Sequence, residues 1–64
     1  MEELRIWCRQ IDKVTSETIG KLRSVMTYPN IKTALRDFDI FEVETETFKQ
    51  EVVAVSKENP FATN

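Results

Sequence analysis

The sequence predicts one small α+β domain, a β-β-α-β chain whose short helix packs on one face of the sheet. Three observations lead there. Residues 3–12 fit a strand template, although periodicity alone slightly favours a helix there, and apolar and polar residues alternate over 40–47, the period of a half-buried strand. Between them, Asn30 precedes Ile31, Ala34, Leu35 and Phe38, a helical spacing behind a good N-cap. And 64 residues make one domain, which buries only about 60% of the surface its unfolded chain exposes.

The elements follow in order. Residues 3–12 form the first strand, with Leu4, Ile6 and Cys8 on one face and Arg5, Trp7, Arg9 and Ile11 on the other. Small polar residues from Asp12 to Thr18, then Gly20, mark a hairpin loop. The second strand is 21–28, with Leu22, Ser24, Met26 and Tyr28 on one face and Lys21 and Arg23 on the other. Pro29 breaks the chain and the helix runs over 31–38. A long strand or hairpin then fills 40–56, where Phe41, Val43, Thr45 and Thr47 alternate with Glu42, Glu44 and Glu46. The expected core is Leu4, Ile6, Leu22, Met26, Tyr28, Ile31, Leu35, Phe38, Phe41, Val43, Val53 and Val55. The domain is expected over 1–58, and Pro60 heads a disordered tail over 59–64.

A second reading competes. Leu4, Trp7, Cys8, Ile11 and Val14 also fit a helical stripe, as do Ile19, Leu22, Val25 and Met26 after a Thr15 or Ser16 cap. Thr47 and Gln50 could likewise open a helix with a capping box. Together these make a three- or four-helix bundle. In it, Val14 to Leu22 resembles the turn and recognition helix of helix-turn-helix proteins, which implies DNA binding through residues 16–26.

Composition excludes more than it selects. One cysteine, Cys8, forbids an intrachain disulfide, and without histidine it cannot build a usual zinc site. The commonest general base is absent too, so neither catalysis nor a cofactor is expected. Cys8 itself reads as a small buried hydrophobe. Met1-Glu2-Glu3 is acidic and no apolar run reaches ten residues, so neither a signal peptide nor a membrane span is expected. A free thiol fits the cytoplasm.

Charge is where function is sought. Residues 1–36 hold seven Lys or Arg against four Asp or Glu, while 37–64 hold two against seven. Trp7 stands on the uncovered face among Arg5, Arg9, Lys21 and Arg23, and Trp and Arg are the residues most enriched at binding hot spots. Glu42, Glu44 and Glu46 form an acidic row that either pairs with those bases across the sheet or meets a basic partner. These residues are the expected partner-binding surface of a non-enzymatic protein-binding module. Duplex DNA is not an expected partner, because the net charge is −2. Free strand edges also allow a homo-oligomer. In outline a β-β-α-β fold is similar to small phage-encoded inhibitors of host enzymes. That likeness of topology implies an inhibitor or modulator of a larger enzyme that processes nucleic acid.

Overall fold

The computed structural model describes residues 3–61. Four antiparallel strands lie in the order β2-β1-β4-β3: β1 (Arg5–Asp12), β2 (Thr18–Arg23), β3 (Val43–Glu44) and β4 (Phe48–Ser56). Helices α1 (Ile31–Leu35) and α2 (Phe38–Phe41) connect β2 to β3. The chain is therefore α+β and not a helical bundle. Thr18–Arg23 is strand, so residues 16–26 present no recognition helix.

The β1–β2 hairpin is set by local chemistry. Asp12 Oδ1 accepts from the amides of Val14 at 2.7 Å and Thr15 at 3.1 Å, an Asx turn. Ser16 takes φ 64°, which closes the loop without glycine. The second strand starts and stops earlier than expected, because Ser24 ends it. The Ser24 hydroxyl accepts from Ile6 N at 3.0 Å and donates to Met26 O at 2.6 Å. The chain then turns and rejoins β1 through a single Leu4–Tyr28 bridge. Met26, expected in the core, is exposed in that turn.

The expected single helix over 31–38 is two. Asn30 caps α1 as the sequence suggests, its Oδ1 accepting from Thr33 N at 2.8 Å. The helix then ends at Leu35, a turn intervenes, and α2 carries the chain to Phe41. Ala34, Phe38 and Phe41 face inward, with Phe38 and Phe41 as expected, but Ile31 and Leu35 do not. Ile31 and Leu35 are 56% and 54% exposed. Ile40 and Phe41, expected to begin a strand, complete α2. The strand that follows has only two residues, and the Thr45 hydroxyl accepts from Thr47 N and Phe48 N to turn it into β4.

A bulge decides which valines are buried. Trp7 opposes Ala54 and Cys8 opposes Val52, which leaves Val53 with no partner on β1. Val52 and Val55 therefore join the core, and Val53, expected there by strict alternation, is exposed. Ile6, Cys8, Tyr28 and Ala34 form the buried centre, with Leu22, Phe38, Phe41, Val52 and Val55 packed against it. Cys8 is a free, fully buried thiol, and burial pushes its pKa upward, with Glu42 adding in the same direction. Two polar ties hold the helical layer to this core. Tyr28 donates to Asp37 Oδ2 at 2.7 Å, and Gln10 donates to Gln50, whose amide donates to Phe41 O at 2.7 Å.

Candidate functional site: the open face of the sheet

Side chains directly opposite one another in an antiparallel sheet share a face, so the register assigns the uncovered side. One row crosses Lys21, Arg9 and Glu51, the next crosses Arg23, Trp7 and Ala54, and a third crosses Thr18, Ile11, Lys49 and Glu44. Arg5 lies beyond the second row, opposite Ser56. Five cationic side chains (Arg5, Arg9, Lys21, Arg23, Lys49) thus share this face with two carboxylates, Glu44 and Glu51. The protein as a whole is acidic, at net charge −2, so this face stands apart from the rest of the surface.

The cations are not equivalent. Arg9 Nε pairs with Glu51 at 2.7 Å, which neutralises the middle of the sheet. Arg5 reaches sideways, its guanidinium donating to the carbonyls of Ser24 at 2.8 Å and Val25 at 3.0 Å, and so holds the turn after β2. Lys21 and Arg23 make no ion pair among the described residues. Both sit on β2, at the edge of the sheet.

Trp7 stands on this face, as its alternation requires, but it is only 7% exposed instead of facing solvent. Two contacts cover it. Its indole N–H donates to Ser56 O at 3.1 Å, and Phe61 packs edge-on with ring centroids 6.4 Å apart. Lys21 Nζ lies 5.4 Å from the Phe61 ring centroid, within cation–π range. Asn59 Oδ1 accepts from Phe61 N at 2.8 Å, the turn that brings the ring back over the sheet. Of the stretch expected as a tail, residues 59–61 thus lie against the open face, and 62–64 fall outside the described residues. Between this segment and β2 is a hollow of about 400 Å³ lined by Trp7, Lys21, Leu22, Arg23, Asn59 and Phe61.

The expected acidic row does not form. Only Glu44 is on a strand: Glu42 ends α2 with φ −95° and ψ 110°, and Glu46 lies in the turn before β4. The apparent alternation from Phe41 to Thr47 runs across a helix end, a two-residue strand and a turn. Nor does the row meet the bases of β2, because β1 and β4 lie between. Glu44 pairs instead with Lys13 at 2.8 Å, and that hydrogen bond and charge hold its carboxyl below the usual range.

So the structure brings together Trp7, Arg5, Arg9 and Arg23, and leaves Glu42, Glu44 and Glu46 at the opposite edge. Sequence reasoning missed Phe61 and Lys49 as members of the face. Asn59-Pro60-Phe61 carried a signal for the first, since Asn-Pro favours a turn and a large aromatic in a polar segment needs cover. Among the described residues no cluster of His, Cys, Asp and Glu is placed to hold a metal ion, and no helix is long and apolar enough to cross a membrane. Comparison with family models, curated proteins and solved structures gave no match to this chain.

Proposed function

We propose that this protein is a non-catalytic module that binds another protein through the open face of its sheet, and that it inhibits or modulates that partner. The observation that carries the reading is the pair Lys21 and Arg23, adjacent on an edge strand, without ion-pair partners among the described residues, beside a hollow walled by Trp7 and Phe61. Like charges placed side by side on a sheet repel, and an acidic surface relieves that repulsion while its apolar groups enter the hollow. The partner surface is therefore acidic. A reducing, cytoplasmic setting belongs to the same reading and is supported by Cys8, a free buried thiol.

Binding of single-stranded nucleic acid is less well supported, because that chemistry stacks bases on exposed rings. Here Trp7 is covered, and Lys21 already sits over Phe61. The test is affinity capture from cell extract with the native protein and with Lys21→Glu/Arg23→Glu, at low and high salt. A specific protein lost at high salt and absent with the reversed variant is expected. A partner retained equally by both proteins would remove the open face from consideration.

A further inference from the structure

We infer that the partner engages as an added strand: an extended acidic segment pairs with the free edge of β2, its carboxylates two residues apart against Lys21 and Arg23. This rests on the binding role proposed above and specifies the partner's form. The geometry starts at Ser24, whose amide donates to Ile6 O at 2.8 Å. In antiparallel pairing, inward- and outward-directed backbone groups alternate. Leu22 and Gly20, opposite Cys8 and Gln10, therefore share the inward orientation of Ser24, and the N–H and C=O groups of Lys21 and Arg23 point away from β1. β2 is the outermost strand, so among the described residues no further strand takes those groups up.

An edge of this kind is a template for pairing, and proteins that do not use it shorten or bulge it. The far edge of this sheet follows that rule, since β3 is two residues long. β2 is six residues long, and its one irregularity lies at Ile19, before the Lys21–Arg23 stretch. Side chains two apart on a strand share a face at a spacing of about 7 Å, so Lys21 and Arg23 present two charges in register with alternate residues of an incoming strand. Acidic residues at those alternate positions complete the charge pairing. The residues between them turn to the other face of the sheet, beside Leu22.

A second copy of this chain does not supply that strand. Pairing β2 with β2 sets Lys21 and Arg23 against cations. The chain's own alternating acids are committed elsewhere, with Val43 and Glu44 paired to β4 and Glu44 bonded to Lys13.

The probe is an eight-residue capped peptide alternating glutamate and valine, titrated into the isotopically labelled protein and followed by NMR and amide hydrogen exchange. Saturable binding is expected, with the largest shifts along Thr18–Arg23 and new protection at the amides of Lys21 and Arg23. N-methylation of the peptide on its pairing edge removes at least two hydrogen bonds and should weaken binding about tenfold or more. Lys21→Glu/Arg23→Glu should weaken it similarly, with its own spectrum showing that the sheet is intact. Equal binding of the N-methylated peptide overturns strand addition but leaves charge-driven docking on the open face standing. Shifts centred on Lys49 and Glu44, absence of binding at millimolar peptide, or concentration-dependent self-association through β2 each overturn it as well.

Discussion

Replacing Trp7 with alanine tests how the open face is built. The indole is 7% exposed, donates to Ser56 O at 3.1 Å and is covered by Phe61. Truncating a buried Trp to Ala costs about 3–5 kcal/mol. Loss of the N–H donor from a partly buried carbonyl is part of that cost and is worth about 1 kcal/mol by itself. A domain of this length has a total stability on the order of 3–10 kcal/mol. Trp7→Ala should therefore remove a large part of it and leave the protein partly unfolded at 37 °C. Urea denaturation followed by far-UV circular dichroism measures the loss.

Two milder variants separate the contributions. Trp7→Phe keeps an aromatic ring and drops the donor, so it should cost roughly 1 kcal/mol from the hydrogen bond plus a small packing loss. Phe61→Ala should cost about 0.5–1.5 kcal/mol for the aromatic pair and shift the fluorescence of Trp7, the sole tryptophan, to the red. If Trp7→Ala melts within about 1 kcal/mol of the native protein, as exposed substitutions do, then Trp7 is a solvent-facing contact and the C-terminal cover is not formed.

Two further outcomes follow from the core. The Tyr28 hydroxyl, bonded to Asp37 and buried, has its pKa pushed up to about 12 from 10.0. A raised folded pKa gives stability that is complete below the unfolded value and is lost as pH rises through the folded one. Stability should therefore fall as pH rises from 10 to 12, and the difference in denaturation between the native protein and Tyr28→Phe across that window isolates it. Cys8 is fully buried with a raised thiol pKa, so a thiol reagent at neutral pH should label it only through unfolding. Labelling at a rate independent of added urea would contradict that burial.

How much of this was legible can be followed residue by residue. Strand β1 was only half readable, because Ile6 and Cys8 alternate with Arg5 and Arg9 while Trp7 and Ile11 break the polar face and fit a helical stripe equally. The Asn30 cap was readable because capping chemistry is local. Alternation failed where the register shifts. No residue type near Val53 announces a bulge, yet that one extra residue sends Val52 inward in its place. The Phe41–Thr47 pattern failed for another reason. Short helices are decided by tertiary packing more than by propensity, and Phe38 and Phe41 reach the core only if the chain stays helical through Phe41. The basic side of the candidate site was legible because it depends on β1 and the hairpin beside it. Its cover was not, because Phe61 meets Trp7 across fifty-four positions of sequence.

The open face has structural work of its own, and this limits where the proposed partner can act. Its centre is structural: Trp7 ties β1 to the end of β4, Arg9 is neutralised by Glu51, and Arg5 fastens the turn after β2. A partner that displaced any of these contacts would have to offset the stability they supply, in a domain whose buried apolar centre is four residues. Arg23 has no such contact among the described residues, and Lys21 has one, with the Phe61 ring. Lys21 is set directly opposite Arg9 and Arg23 directly opposite Trp7, so the sheet gains no ion pair from either. Neutral residues at both positions would remove the Lys21–Arg9 repulsion without breaking any ion pair recorded among the described residues. Charge that gains the sheet no ion pair is charge available to a partner. It lies at the one long edge of the sheet, where a partner can add without disturbing the contacts that hold the centre together.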